Sequence, residues 1–371
     1  MYIEEERAMK SILKIAAIIC AIFGIFNLCL LFIQKTRIDF HHTAEYTNMS
    51  ESYSKTNYVL IRKKNSIRNF PFVFGERLYL YDIGKDREYL ISNYIRPFYT
   101  YGDMLAVHNN KVFYNVSGEG PGIELYSKKL QDIEMGQRIL NQAGLYTVSS
   151  NDIYYLKSQE TTYKEEQNFL YKKNLKNGKT KTILKENLSN VLRFDNGFIY
   201  SWNRFSKELL ELNEKNKTIV RCPAKEEPLW IGYVDPQYFL SIDEANIVLY
   251  NKKTKHKKYL VKNIKKEKEL LNRKAKIEKN YLYYNNENLD FYRLNVYTGD
   301  KQKIISFSEN DEVKDYIKYN EYYADVNYCN DYVVIDLNYV SNKKLNLMKR
   351  SLLVFDYNGK LVKNKKLKAL L

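Results

Sequence analysis

Histidine, cysteine and clustered carboxylates are the residues of this 371-residue chain that could bind a metal ion or transfer protons. The four histidines are His41, His42, His108 and His256, and none lies four residues from another or near a Cys-x-x-Cys pair, the spacings that zinc sites use. The acidic stretch "SENDEVKD" (residues 308–315) lacks the glycine of a calcium-binding loop. We therefore predict no metal site and no cofactor.

Serine hydrolases place their nucleophile in a G-x-S-x-G turn between a strand and a helix. The nearest string, "VSGEGPG" (residues 116–122), lacks that spacing and is interpreted as a flexible loop. We predict no catalytic residue from spacing. Paired carboxylates of the glycosidase type stay open, because a repeat protein can bring them together from distant segments.

Basic residues dominate the charge, with 60 Lys and Arg against 44 Asp and Glu, a formal net charge of +16. Residues 252–279 alone contain thirteen Lys or Arg and three Glu. Such a cluster attracts anionic polymers or lipid headgroups over about 10 Å, and a merely solvated surface is the alternative. No nucleic-acid-binding module is recognisable, so nucleic acid is not a predicted partner. The predicted polyanion patch is Lys252, Lys253, Lys257, Lys258, Lys265 and Lys266.

The N-terminal part contains an apolar run of 19 residues, "IAAIICAIFGIFNLCLLFI" (residues 15–33). A helix of this length spans about 28 Å, close to the hydrocarbon thickness of a bilayer. No small-x-small cleavage site follows the run, which favours an uncleaved anchor over a signal peptide. Three basic residues precede it and two follow, a slight bias towards an inside N terminus. We predict a cytoplasmic segment (1–14), a transmembrane anchor (15–33), a stalk (34–56) and an extracytoplasmic domain (57–371).

Cysteine use fits that location without proving it. Only Cys222 and Cys329 lie in the predicted external domain, too few for a disulfide framework, although one bridge between them stays open. Low cysteine content is consistent with the outer surface of a Gram-positive bacterium and equally with a cytosol.

The predicted domain is built from repeats. In most copies a cluster of apolar or aromatic residues follows a turn signal and precedes a strand–turn–strand hairpin. In the third hairpin, "FLYKKNLKNGKTKTIL" (residues 169–184), a two-residue turn at Asn177-Gly178 would set Tyr171 opposite Leu184 and place the lysines on the solvent face. An apolar or aromatic cluster recurs every 40 to 51 residues, centred on Val73, Phe113, Tyr154, Ile199, Phe239, Tyr283 and Val334.

Four short antiparallel strands in about 45 residues are the plan of a β-propeller blade. Seven units closed into a ring remove the exposed ends that an open stack of sheets would have. We therefore predict an all-β protein, a β-propeller of seven blades preceded by one N-terminal transmembrane helix. Six or eight blades are the alternatives.

The repeat unit resembles the blades of bacterial propellers related to the YWTD group of the low-density-lipoprotein receptor and to the TolB-like group. The likeness lies in the aromatic second strand of "NDIYY" (residues 151–155) and in the hairpin of residues 169–184. No copy reads Tyr-Trp-Thr-Asp, and short-anchored propellers of Firmicutes look more similar. The resemblance implies a binding platform.

Loops after the second strands and between blades should share one face of the ring, where binding residues usually lie on a rigid scaffold. They are longer than the hairpin turns and include residues 93–103, 157–168, 202–207 and 223–236. The alternative is that each aromatic residue there caps its own blade. The predicted binding residues are Trp202, Trp230, Arg96, Tyr99 and Tyr101.

These observations predict a membrane-anchored extracytoplasmic propeller that binds a protein, a peptide or a cell-envelope glycan without catalysis of its own. Two alternatives stay open. One is a propeller-type lyase or hydrolase acting on envelope glycans or peptides, and the other is an accessory subunit of a membrane complex.

Overall fold

The described part of the chain covers most of the predicted domain and little of the N terminus. No helix in it is long and apolar enough to cross a membrane, and of the predicted anchor only the helical residues Ala21 and Phe23 to Ile25 fall within it. The predicted stalk lies outside it except for Thr56. The computed structural model describes residues 21, 23–25, 56–64, 76–95, 105–108, 110–117, 123–132, 136–141, 146–149, 151–160, 166–213, 215, 217–243, 246–262, 275–286, 289–311, 313–314, 322–342 and 347–367.

Within these residues 27 strands form seven antiparallel sheets, each made of consecutive strands, which are the blades of a seven-bladed β-propeller. Blade 1 has β1 (Tyr58–Lys64), β2 (Glu76–Asp82) and β3 (Arg87–Ile95). Blade 2 has β4 (Leu105–His108), β5 (Lys111–Ser117), β6 (Ile123–Lys129) and β7 (Gln137–Leu140). Blade 3 has β8 (Tyr146–Val148), β9 (Asp152–Glu160), β10 (Glu166–Asn174) and β11 (Thr180–Leu184).

Blade 4 has β12 (Leu188–Asp195), β13 (Phe198–Asn203), β14 (Glu208–Asn213) and β15 (Ile219–Pro223). Blade 5 has β16 (Trp230–Tyr233), β17 (Tyr238–Ile242), β18 (Ile247–Asn251) and β19 (Lys257–Val261). Blade 6 has β20 (Lys276–Glu278), β21 (Tyr281–Asn285), β22 (Asp290–Asn295) and β23 (Lys301–Ser306). Blade 7 has β24 (Tyr322–Tyr328), β25 (Tyr332–Asn342), β26 (Leu347–Asp356) and β27 (Leu361–Leu367).

Burial explains which residues form each strand. The second and third strands are sandwiched between neighbouring blades, so both of their faces are apolar, as in β13, where every residue after the first is buried. The first strands of blades 2 to 6 lie side by side around the centre of the ring. The fourth strands form the outer edges and carry exposed lysines such as Lys181, Lys258 and Lys301, whose charge discourages pairing with another sheet edge.

Side-chain packing joins blades 7 and 1 and so closes the ring, and in the described part of the chain each of these two sheets contains only consecutive strands. The closing contacts also include Asn57, whose side-chain nitrogen donates to Asp331 at 2.6 Å, and Asp86, which pairs with Lys363 at 2.9 Å. Apolar clusters of the same kind join each of the remaining pairs of neighbouring blades. The closing core comprises Val59, Ile61, Tyr81 and Ile83 of blade 1 with Val334, Leu352, Val354 and Leu367 of blade 7.

The ring has two faces that differ in their connections. Turns joining first to second and third to fourth strands lie on one face, here called the hairpin face. In blade 2, for example, Leu130 of one turn donates its backbone N–H to the Asn110 carbonyl of the other at 3.0 Å. Connections between second and third strands and between blades lie on the opposite face, called the loop face. Blade 1 follows the same plan, because Ile83 donates to the Asn57 carbonyl at 3.0 Å.

Blade 1 differs from the predicted repeat. β1 pairs with β2 over its whole length, from Tyr58 opposite Asp82 to Lys64 opposite Glu76, and so takes the place of the second strand. The cluster centred on Val73, predicted for that place, lies outside the described residues. The first unit is therefore assembled from an earlier segment than its aromatic cluster suggested.

The predicted two-residue turn of the third hairpin is wrong. Tyr171 pairs with Thr182, and a bulge then brings Leu170 opposite Leu184, so four residues (175–178) form the turn. The Asn174 side-chain oxygen accepts the backbone N–H groups of residues 176 and 177 at 3.1 Å each, and Gly178 adopts φ 69°. The Asn at the start of the turn thus fixes the register.

The lysines of that hairpin divide into two groups. Lys176, Lys179 and Lys181 are exposed, as predicted. Lys172 instead pairs with Asp152 at 2.7 Å and lies over the Tyr154 ring, 5.1 Å from its centroid. The cysteine bridge left open by the sequence is absent, because Cys222 and Cys329 are both free and buried in different blades.

Candidate functional site

Both tryptophans predicted to bind a ligand are buried in the cores between blades. Trp202 is 7% exposed and packs between blades 4 and 5, and Trp230 is 5% exposed and packs between blades 5 and 6. The Arg193 guanidinium lies over the Trp230 ring, 4.6 Å from its centroid. Residue 232 is glycine because a Cβ there would lie 2.1 Å from the same ring. These aromatic residues are structural, since the blades need large side chains to fill the wedge between twisted sheets.

The predicted polyanion patch is not one continuous surface. Lys252 is buried, and its Nζ lies 2.8 Å from Glu211 Oε2 of blade 4, so it is unavailable to a polymer. Lys257 lies over the Tyr250 ring and Lys258 donates to the Tyr297 carbonyl of blade 6. Lys253 is exposed in a hairpin turn. Five further predicted residues lie outside the described part of the chain: Arg96, Tyr99, Tyr101, Lys265 and Lys266.

The most exposed aromatic side chain of the described residues is Phe205, at 63%. It lies on the loop face between β13 and β14, within the predicted loop of residues 202–207. The loop is ordered by Asn203, whose side-chain oxygen accepts the backbone N–H of Phe205 at 2.9 Å and of Ser206 at 3.1 Å. Phe205 is therefore presented to solvent on a fixed turn.

Charged side chains brace this turn from below. The Asn203 side-chain nitrogen donates to Glu186 Oε2 at 2.7 Å. Arg221 of β15 binds both carboxylate oxygens of Glu186, with a distance of 3.0 Å from Nη1 to Oε2, and reaches Glu208 at 3.4 Å. The Arg221 guanidinium holds the pKa of the Glu186 carboxyl below its usual value, and burial opposes that effect. The brace therefore stays charged at neutral pH.

A second connection lies against the turn. Ala224, which follows β15 on the way to blade 5, donates its N–H to the Lys207 carbonyl at 2.8 Å. The two connections carry four exposed charged residues, namely Arg204, Lys207, Lys225 and Glu226. We call this surface, made by Glu186, residues 203–208, Arg221 and residues 223–227, the blade-4 loop site.

The chemistry available at the blade-4 loop site is that of recognition. A preordered phenyl ring among mainly cationic groups can accept an apolar or aromatic group that neighbours a carboxylate or another anion. Across the ranges that the structure describes, no three His, Cys, Asp or Glu side chains are arranged to hold a metal ion. Binding is what the arrangement supports.

Sequence reasoning selected Trp202 in this loop, which is buried, and did not select Phe205, which is exposed. In "WNRFSK" (residues 202–207) Trp202 ends a buried strand and Phe205 occupies the turn. The signal was present, since an Asn followed by two residues with free N–H groups favours an Asx turn and expels the next side chain into solvent. A large apolar residue in such a turn has no structural reason to be there.

No protein-family model and no curated protein matches the chain. Solved structures do match it. Hsv2 of Kluyveromyces lactis has a TM-score of 0.51 at 9% identity, over 86% of this chain and 97% of that one. The WD40 β-propeller domain of Doa1 has a TM-score of 0.44 at 14% identity, over 71% and 82%. A puromycin hydrolase has a TM-score of 0.43 at 10% identity, over 84% of this chain and 52% of its own, about half its length.

Identities this low show the fold alone. The chain is a seven-bladed β-propeller, as predicted. The finer resemblance to YWTD-like, TolB-like and Firmicutes propellers stays a prediction.

Proposed function

We propose that this protein is a membrane-anchored scaffold whose propeller lies outside the cytoplasm and binds a protein, a peptide or a cell-envelope glycan at the blade-4 loop site. The observation that carries the proposal is Phe205, an exposed aromatic ring on a turn fixed by Asn203. Aromatic residues contribute much of the binding energy at recognition surfaces. A fixed turn loses little conformational entropy when a partner binds.

The charges around Phe205 narrow the chemistry of the partner. Arg204, Lys207 and Lys225 outnumber Glu226 among the exposed charged groups, whereas Glu186 and Glu208 are occupied by Arg221. We expect the partner to present an apolar or aromatic group close to an acidic one. The anchor and the location rest on residues 15–33 and on the charges that flank them.

The test places a photo-crosslinking amino acid at position 205 of the full-length chain in the native host. We expect a discrete crosslinked product that is lost when Arg204 and Lys207 are also changed to Glu. The matched control carries the crosslinker at Tyr259, which is 46% exposed on the outer strand of blade 5. A product of the same mass and yield from both positions would contradict a specific site.

The location is tested with Phe205→Cys and a membrane-impermeant maleimide applied to intact cells. The cysteines at 222 and 329 are buried, so they should react slowly and the wild type gives the background. We expect labelling of the variant before permeabilisation. Labelling only afterwards would place the propeller inside the cell and sink this part of the proposal.

A further inference from the structure

The turns between the third and fourth strands of blades 3, 4 and 5 each contain two exposed lysines, and these blades neighbour one another in the ring. The other blades also have exposed lysines on the hairpin face, such as Lys85, Lys129, Lys279 and Lys360, but at most one in the described part of the corresponding turn. We call the lysines of these turns in blades 3, 4 and 5 the lysine crescent: Lys176, Lys179, Lys215, Lys217, Lys253 and Lys255, all exposed.

Two members of the crescent occupy a backbone conformation that suits glycine. Lys217 has φ 58° and Lys255 has φ 60°. The corresponding turns of blades 3, 6 and 7 have glycine there, with φ between 69° and 89° (Gly178, Gly299 and Gly359). A side chain at positive φ is disfavoured, so these lysines stand where glycine would be the more stable choice.

The described carboxylates on the hairpin face of blades 3 to 5 pair with groups outside the crescent. On the hairpin face of the same blades, Asp152 pairs with Lys172 and Asp235 accepts the N–H groups of residues 237 and 238 at 2.6 and 2.8 Å. Asp195 accepts the Tyr233 N–H at 3.2 Å. Glu214, beside Lys215, lies outside the described residues. By contrast, the corresponding turns of blades 1 and 6 carry the exposed carboxylates Asp86 and Asp300.

We infer that the lysine crescent binds a linear, phosphate-rich anionic polymer that follows the hairpin face across blades 3 to 5. Ammonium groups on flexible stems suit successive phosphates, and release of the polymer's counterions drives such binding. A flat bilayer would meet the turns of all seven blades, including the turn of blade 6 with the carboxylate Asp300, so the arc favours a chain over a lipid surface. This surface lies opposite the blade-4 loop site and does not depend on it.

The test measures binding of inorganic polyphosphate to the full-length chain in neutral detergent over a range of salt concentrations. For the double variant Lys217→Gly/Lys255→Gly we expect about tenfold weaker binding and a salt-dependence slope smaller by about 1.5. We also expect an unchanged or higher melting temperature, because glycine relieves the positive φ. Weaker binding therefore cannot arise from unfolding.

Lys279 provides a matched control on the hairpin face of blade 6, outside the crescent. It is exposed and has φ 55°, so Lys279→Gly removes the same charge and relieves the same backbone conformation as Lys217→Gly. We expect polyphosphate affinity to fall for Lys217→Gly and to stay unchanged for Lys279→Gly. Equal losses from both would show a general charge effect and overturn the proposal. So would wild-type affinity in the double variant, or an effect of that variant on binding to phosphatidylglycerol vesicles alone.

Discussion

The interface between blades 4 and 5 and the interface between blades 6 and 7 have the same architecture and different chemistry. In the first, Lys252 of blade 5 lies 2.8 Å from Glu211 of blade 4, and the Tyr200 hydroxyl donates to the same carboxylate at 2.7 Å. The lysine also lies over the rings of Phe198 and Tyr233, 4.6 and 4.8 Å from their centroids. A buried ion pair thus sits within an aromatic core.

The centre of the interface between blades 6 and 7 is an apolar cluster of aromatic and aliphatic side chains. A buried lysine crosses this interface too, but without a carboxylate of blade 7: Lys276 donates to the Cys329 and Asn330 carbonyls at 3.1 and 2.6 Å. Phe291 stacks on Phe307 with 5.6 Å between centroids and contacts Tyr328 at 6.1 Å. Phe307 in turn lies 4.6 Å from Phe355 of blade 7. All four side chains are fully buried.

The comparison separates two contributions to blade packing. Apolar rings supply cohesion in proportion to the area they remove from water. A buried ion pair adds little net stability, because desolvation offsets the attraction, but the loss of either partner leaves an uncompensated charge. We therefore expect the interface between blades 4 and 5 to be specific about its partners and the interface between blades 6 and 7 to be the stronger.

The largest effect is expected from Phe291→Ala. It removes a ring that contacts both blades and leaves a cavity, so the free energy of unfolding should fall by about 4 kcal/mol. Urea denaturation of the full-length chain measures the change. Phe205→Ala, on the loop face, is the control and should shift stability by less than about 0.5 kcal/mol. An equal loss of unfolding free energy in the two variants would contradict the prediction that the interface between blades 6 and 7 stabilises the fold.

Lys252→Met should lower the free energy of unfolding by about 3 kcal/mol, because Glu211 is then buried without a counter-charge. The exposed neighbour Lys253→Met removes the same charge and should be close to neutral. Thermal melts of both variants at neutral pH measure the difference. Equal melting temperatures for the two variants would contradict the prediction that Lys252→Met leaves Glu211 buried without a counter-charge.

A triple variant that removes all three polar groups tests whether the unpaired carboxylate causes the loss of stability. The triple variant Tyr200→Phe/Glu211→Leu/Lys252→Met should recover to within about 1 kcal/mol of the wild type, since no charge or hydroxyl is left unpaired. A triple variant as unstable as the single one would mean that the ion pair itself, rather than its isolated carboxylate, sets the stability.

Removing one hydroxyl at each interface should cost less stability than Phe291→Ala or Lys252→Met. Tyr200→Phe should cost about 2 kcal/mol and Tyr328→Phe about 1 kcal/mol, because Tyr200 donates to a charged carboxylate and Tyr328 to the neutral Asn285 amide at 2.8 Å. Chemical denaturation at neutral pH measures both. A larger loss from Tyr328→Phe would reverse the expected order.

The same tyrosines make stability fall at high pH. Burial raises the pKa of Tyr200, with a further rise from Glu211, and burial also raises the pKa of Tyr328. A tyrosine whose pKa is higher in the folded state than in the unfolded state contributes its full stabilisation of the fold at pH values below the unfolded-state pKa of about 10. That stabilisation is lost as the pH rises from there through the folded-state pKa. Each Tyr→Phe variant should therefore show a shallower alkaline loss than the wild type.

Much of the fold could be predicted because it depends on local signals. The alternation of apolar and lysine positions, together with the turn residues, identified a hairpin in each of the seven blades, and the number of hairpins predicted the number of blades. The register of the third hairpin could not be read from Asn177-Gly178 alone, because Asn174 binds the turn first. The sequence did not predict β1, because the aromatic cluster centred on Val73 lies between β1 and its partner β2 in the chain.

The candidate site shows the limit of sequence reasoning more sharply. Trp202 and Phe205 are three residues apart and both aromatic, yet one fills a core and the other faces solvent. Lys252 and Lys253 are adjacent and both basic, yet one is buried against Glu211 and the other is exposed. Residue type alone does not distinguish the members of either pair.

The sequence by itself determined the repeat, its strands and the outward lysines, because these follow from a period of two and from turn chemistry within about 45 residues. Only the tertiary structure decided which charged and aromatic residues are available for binding. The reason is physical: burial in a propeller depends on the neighbouring blade, and Lys252 is buried by residues 41 and 54 positions earlier, Glu211 and Phe198.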